Sequence, residues 1–288
     1  MKRNVVIGLL VLVSATVVAG IWGLGSAPVD RQAAFDFEID ALRTAALASG
    51  EPLPVAMEQF IVARGAFPRA VVVAGSGLFA SQDMVFRTHI LGYADGRTLM
   101  IDPVHDRAVH EKHFGGQFND KTWNFMQAAM KDASLVLATH EHLDHINGIA
   151  ASPEFEQLAP KVMLTKEQLD NQRFMRDAGF SAAQIAALTP LEYDGVYSPM
   201  PGVAVKKTPG HSLGHQVIYV QLANGEEYLF AGDIAWVWDN IREQRGRARL
   251  VSSLFLDEDQ QQVAAQLAGL KALADEGRIN LIVSHDLP

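Results

Sequence analysis

Six consecutive residues, His140-Glu141-His142-Leu143-Asp144-His145, carry three imidazoles and a carboxylate that could face one ion. They follow the apolar run Leu135–Ala138, so a loop leaving the end of a strand can turn several of them inward together, as a divalent cation requires of nitrogen and oxygen donors. A solvated polar loop, the usual fate of an isolated charged cluster, is the plainer reading, and the cluster taken alone favours metal over it only moderately. Three later segments each add one ligand type after an apparent strand: His211 in Thr208-Pro209-Gly210-His211-Ser212, Asp233 in Ala231-Gly232-Asp233, and His285 in Ser284-His285-Asp286. The chain of 288 residues has no cysteine, which excludes a thiolate site, a disulfide framework and a cysteine nucleophile. Any metal must be held by His, Asp or Glu.

Short strands and helices alternate around these residues. Ala70–Ala74, Val85–Leu91 and Thr98–Ile101 read as strands of one sheet, the last two joined through the turn Tyr93-Ala94-Asp95-Gly96. Asp120–Lys131 has helical spacing at Trp123, Met126 and Met130. Val162–Leu164 then reads as a strand and Lys166–Arg176 and Ser181–Leu188 as helices, with a loop marked by Pro190, Pro199 and Pro201. Val203–Val205, Val217–Gln221 and Glu227–Phe230 read as strands, Asp257–Glu276 as a long helix, and Ile279–Val283 as a closing strand.

The combined pattern resembles the metallo-β-lactamase superfamily, whose signature is H-x-H-x-D-H followed by separate His, Asp and His ligands in that order. The resemblance runs from about Pro68 to the C-terminus and implies an α/β fold, an αββα sandwich of two mixed sheets flanked by helices. It also implies two divalent metal ions: His140, His142 and His211 would hold the first, Asp144, His145 and His285 the second, and Asp233 would bridge them. Zinc suits so His-rich a set, and Mn, Fe or Co would fit the same ligands. Five neutral imidazoles and two carboxylates around two dications leave a net positive site that stabilises a metal-bridging hydroxide near neutral pH. The cations also polarise a carbonyl or phosphoryl oxygen, so hydrolysis is the chemistry favoured, with Asp144 placed to relay a proton.

Neighbouring residues divide between plain and functional readings. Asp102 is either a turn residue before Pro103 or an acceptor for the second ring N–H of a ligand histidine. His215 reads as a structural histidine, and His89, His105, His110 and His113 as ordinary polar residues, the loop near Pro103 being able to approach the cleft. Glu141 is not expected to bind metal, and His142 speaks against the diiron oxygen-reducing branch, which has Glu at that place.

Among hydrolases of this superfamily, the bridging Asp233 disfavours the true β-lactamases, and Pro201-Gly202-Val203, Thr208–Ser212, Gly214-His215-Gln216 and Ser284-His285-Asp286 look most like the N-acyl-homoserine lactonase branch. Those lactonases place a tyrosine three positions after the bridging aspartate, where this chain has Trp236; Trp236 and Trp238 could line an acyl pocket or simply fill the core or rim. The expected substrate is therefore a small ester-like molecule, best a lactone. The alternatives are a glyoxalase II-type thioester hydrolase, which usually adds a basic C-terminal substrate-binding region not expected here after His285, and a mononuclear iron persulfide dioxygenase, which would leave Asp144, His145 and His285 without a metal.

Composition is that of an ordinary globular chain. Hydrophobic residues make up 49% and charged residues 20%, and 24 Lys plus Arg against 33 Asp plus Glu leave a net charge of −9, which argues against nucleic acid as a partner. Lys2 and Arg3 precede an uncharged apolar run, Val5–Leu24, so residues 1–27 read as a signal peptide or an N-terminal membrane anchor, 28–67 as an extension, and 68–288 as the hydrolase domain. The protein is expected to be exported, to the periplasm or beyond, with anchoring in the inner membrane through residues 5–24 as the variant of that reading.

Overall fold

A computed structural model describes residues 20, 22–26, 34–77 and 79–287. Eleven strands are described: β1 (Ala56–Pro68), β2 (Ser81–Gly92), β3 (Thr98–Ile101), β4 (Gln117–Phe118), β5 (Leu135–Leu137), β6 (Val162–Met163), β7 (Val196–Met200), β8 (Val203–Lys207), β9 (Gln216–Gln221), β10 (Glu227–Gly232) and β11 (Asn280–Val283). They form a six-stranded sheet of order β4-β1-β2-β3-β5-β6 and a five-stranded sheet of order β11-β10-β9-β8-β7. Both sheets are mixed, because β3, β5 and β6 run parallel to one another, as do β10 and β11.

Three buried clusters account for the layers. Leu91, Leu99, Ile101 and Leu137 of the first sheet meet Val203, Val205, Ile218 and Phe230 of the second, which makes an apolar seam between the sheets. The outer face of the first sheet packs Met100 and Val136 against Met126 and Met130 of the helix Asp120–Asp132 and Ile146 and Ile149 of the helix Leu143–Ala150. On the other side, Ala204, Tyr219 and Leu229 pack against Leu42 of Ile39–Leu47 and Val263, Leu267 and Leu270 of Gln260–Glu276. Strands buried on both faces read as continuous apolar runs, which is why β5 and β8 to β10 stand out in the sequence. The result is the αββα sandwich that the resemblance implied.

Several elements differ from the sequence reading. Ala70–Ala74 is not a strand: Arg69–Val72 is one helical turn, and the strand belongs to Ala56–Pro68, inside the segment read as an extension. This strand pairs with β2 along its whole length, from Ala56 opposite Gly92 to Pro68 opposite Ser81, with a bulge between Ile61 and Ala63. Phe37, Leu42 and Ala46 of the same segment are buried in the second core. The expected helix Lys166–Arg176 is two, Lys166–Asp170 and Gln172–Asp177, broken at Asn171, whose amide donates to Glu141 Oε1 at 2.9 Å. Pro199 lies not in a loop but in β7, an edge strand whose register shifts between Tyr197 and Met200, a place where a missing N–H is tolerated. The long helix starts at Gln260, capped by Asp259 accepting from the N–H groups of Gln261 and Gln262.

The apolar leader, Val5–Leu24, lies outside the described residues apart from Gly20 and Trp22–Leu24. Among the described residues, no helix is long and apolar enough to cross a membrane.

Candidate metal centre

Every candidate ligand comes from a segment that follows a strand, and the sandwich brings those segments to one edge. β5 stops at Leu137, Thr139 to Glu141 form the turn, and His142 is the N-cap of the helix Leu143–Ala150, which puts Asp144 and His145 in its first turn. His211 lies on the connection between β8 and β9, Asp233 directly follows β10, and His285 follows β11 by two residues.

The seven side chains fall into two groups. Ligand atoms of His140, His142, His211 and Asp233 lie within 4.8 Å of one another, and so do those of Asp144, His145, Asp233 and His285. Asp233 belongs to both and turns one oxygen to each: Oδ2 is 3.5 Å from His211 Nε2 and 3.7 Å from His140 Nε2, whereas Oδ1 is 3.3 Å from both His145 Nε2 and His285 Nε2. Asp144 Oδ2 completes the second group, 3.4 Å from His285 Nε2. All seven expected residues are thus brought together, in the partition that the resemblance implied.

This donor set fits divalent cations. His140 Nε2, His145 Nε2 and Asp233 Oδ1 are buried without a hydrogen-bond partner, a costly arrangement for any polar atom that has nothing to bind, and His142 Nδ1 lies 2.9 Å from His211 Nε2. Burial pushes the His142 ring down to about 3 and holds His140 and His211 well below the ordinary histidine range, so their lone pairs are free for a metal. Burial also opposes charge on His145, but the carboxylates of Asp233, Asp144 and Asp102 outweigh it and raise that ring well above its usual value.

Around the ligands, a further set of partners fixes each ring. Asp102, held at φ 54°, accepts from the Thr139 N–H at 2.7 Å and the Thr139 hydroxyl at 2.9 Å, and its Oδ2 lies 3.0 Å from His145 Nδ1, so the second reading of this residue is the one the geometry supports. His285 Nδ1 is 3.0 Å from the Val85 carbonyl. His211 Nδ1 is 3.2 Å from Glu258 Oε1, and Glu258 is paired with the fully buried Arg247, which also donates to the Asp233 carbonyl at 2.7 Å. Sequence reasoning missed Glu258 and Arg247. Arg247 lies in a stretch given no strand or helix period, Glu258 at the start of the segment read as the long helix, and eleven residues apart they form no motif.

Trp236 packs against the buried cluster of Val72, Val73, Met84 and Val237, its indole N–H donates to Asp233 Oδ2 at 2.6 Å, and Arg247 lies 5.2 Å from its ring centre. Glu141 is buried away from both groups, accepting from Asn171, the Ser212 hydroxyl and the Gly214 N–H, and so ties three loops together. His215, in neither group, is held through Nδ1 by the Thr208 hydroxyl at 2.9 Å. His105 and His110 are buried and 3.1 Å apart, His89 is buried, and His113 is exposed; none joins a ligand group.

Known proteins share this architecture. The family described as beta-lactamase superfamily domain matches residues 97–285, which include all seven ligands. An N-acyl homoserine lactonase of Bacillus thuringiensis is 26% identical over 118 residues, 39% of this chain, and the chain spans only 43% of the length of that curated relative. A crystal structure of a quorum-quenching N-acyl homoserine lactone lactonase superposes with a TM-score of 0.64 at 14% identity, over 82% of this chain and 93% of the other. A dizinc quorum-quenching lactonase in complex with its product superposes with a TM-score of 0.58 at 14% identity, over 81% and 88%. The family match over well above half the chain, laid on a sandwich whose strand ends carry the ligands, establishes that this chain belongs to the metallo-β-lactamase superfamily.

Proposed function

We propose that this chain is a dinuclear metal-dependent hydrolase that opens a small ester-like substrate, specifically a lactone such as an acyl-homoserine lactone. The observation that carries the reading is Asp233, which offers one carboxylate oxygen to each of two separate histidine groups. His140, His142 and His211 would hold one cation and Asp144, His145 and His285 the other, with zinc favoured by the nitrogen-rich set. Two such cations, when bound, supply Lewis acidity toward a carbonyl oxygen and lower the pKa of water to about 7.

The chain's own residues do the rest. Asp102, Glu258 and the Val85 carbonyl fix the orientation of His145, His211 and His285 through their Nδ1 atoms. Asp144 is partly exposed at the cleft, where its carboxylate can pass a proton to the departing alkoxide oxygen. Trp236 has its N–H committed to Asp233, so it does not orient the substrate carbonyl as the tyrosine of the resembled lactonases does. The lactone reading draws support from the lactonases among the relatives and the solved structures.

The test is elemental analysis beside a panel of lactones, thioesters, phosphodiesters and β-lactams on metal-replete protein. Two metals per chain and preferential lactone opening are expected. His142→Ala should lose one metal and hydrolysis together, and Asp233→Ala should weaken both metals. An unchanged rate with one metal lost overturns the dinuclear assignment, and faster thioester than lactone turnover overturns the substrate. We propose export as well, supported by Lys2, Arg3 and the run Val5–Leu24; recovery of the protein in the soluble cytoplasmic fraction refutes it.

A further inference from the structure

Behind the second ligand group lies a chamber of about 20 Å³, lined by His145 and His285 and also by Arg87 and His89 of β2. It has room for a single water. Arg87, His89, Ile282 and Val283 also line a second, larger cavity of about 490 Å³ that reaches the surface, with walls of Met57, Tyr228, Trp238, Ile279 and Leu281. That volume lies in the range of small-molecule sites.

The inner end of this groove holds a buried cation with no carboxylate at contact distance among the described residues. Arg87 is only 6% exposed; Nη1 donates to Gln59 Oε1 at 2.9 Å and Nη2 to the Val283 carbonyl at 2.7 Å, whereas Nε has no partner. It forms no ion pair among the described residues. Asp286 attracts it from farther off, but the Asp286 oxygens accept from the backbone N–H groups of Trp238 and Leu287. Burial lowers Arg87 to about 10, which leaves it charged at neutral pH. His89, 5% exposed, packs edge-on against Phe230 with ring centres 4.8 Å apart, and its ring nitrogens hydrogen-bond to nothing among the described residues. A guanidinium and a free imidazole at the closed end of an apolar groove supply what a carboxylate with a hydrocarbon tail lacks once it leaves water.

We propose that this groove binds a medium-chain carboxylate, with the head on Arg87 and His89 and the tail along Met57, Tyr228, Trp238 and Leu281. None of the seven ligands lines the groove, which borders the metal centre through the small chamber that Arg87 and His89 share with it, and the proposal does not depend on the hydrolase reading. Decanoate titrated into the metal-replete full chain, followed by calorimetry and tryptophan fluorescence, should bind 1:1 and at least ten-fold more tightly than decan-1-ol. Arg87→Met should weaken decanoate at least ten-fold. Ala274→Trp, at an exposed helix position on the groove wall, should block it with metal content unchanged. If Arg87→Met does not fold, Ala274→Trp decides alone. Equal affinity for decanoate and decan-1-ol, no saturable binding, or decanoate binding that persists in Ala274→Trp, as capture at the metal centre would, overturns the proposal.

Discussion

The contact between His211 and Glu258 gives a test in which stability and metal affinity separate. The Glu258 side chain is 1% exposed and that of Arg247 0%; besides that ion pair, Glu258 Oε2 accepts from the Ser252 hydroxyl at 2.5 Å, and Oε1 lies 3.2 Å from His211 Nδ1. Glu258→Ala strands a buried guanidinium that still donates to the Asp233 carbonyl but has lost its counter-charge, which costs about 3–5 kcal/mol. It also frees the His211 ring, a change worth about 10- to 100-fold in metal affinity. Urea denaturation reads the first effect, and competition with a chelator reads the second. The double variant Arg247→Met/Glu258→Leu removes both charges at similar volume, so it should recover most of the stability. Metal binding should stay weak in it, because His211 Nδ1 still lacks its acceptor. A Glu258→Ala protein within about 1 kcal/mol of the parent, or a double variant with parental metal affinity, refutes this reasoning.

Two other outcomes follow from the surroundings of the ligands. Asp102→Asn keeps a residue that tolerates the left-handed φ of 54° but removes the charged acceptor of His145 Nδ1; metal at the second group should weaken about 10- to 100-fold while the first is retained, and two tightly held metals under chelator competition would sink the assignment. Burial lowers His215 to about 4 against about 6.5 in the unfolded chain, so acidification through that window protonates the unfolded state first and removes stability that is present in full above it. Between pH 7 and pH 5, the metal-stripped parent should lose about 2 kcal/mol more than His215→Gln in urea unfolding. Equal losses would show that the ring titrates normally.

What could be read from the sequence follows the range of the interactions that decide each element. His140 to His145 are contiguous and leave a strand buried on both faces, so both the strand and its cargo show locally. His211, Asp233 and His285 were legible for the same reason, each following a short apolar run that the sandwich must bury. β1 was not legible: Met57, Phe60 and Ile61 are half-buried beside the exposed Glu58, Gln59 and Arg64, and the bulge at Ile61 breaks the alternation on which the signal depends. Its place is set by β2. The break at Asn171 is likewise set from outside the segment, by Glu141 thirty residues earlier, and local helix propensity cannot register it.

Gly232 shows how tightly backbone and ligand are joined, and it can be tested alone. Placed between Ala231 and Asp233, it takes φ 53°, and a Cβ there would sit 2.4 Å from His215 Nε2 and 3.1 Å from Thr139 Cβ. Neither neighbour can move freely: His215 is fixed by Thr208, and Thr139 by Asp102. Gly225, at φ 88° with nothing within 4 Å of the same built atom, is the control, because Gly225→Ala carries only the backbone strain of about 1–2 kcal/mol. Gly232→Ala bears that strain and the overlap as well, so it should destabilise by about 1–3 kcal/mol more than the control in urea unfolding. Because the residue that must shift with it is Asp233, which serves both ligand groups, the two metals should weaken together rather than one at a time. If Gly232→Ala is no worse than Gly225→Ala, or sheds one metal and keeps the other, then Asp233 is not held by this turn and the join between strand end and bridge is looser than the packing implies.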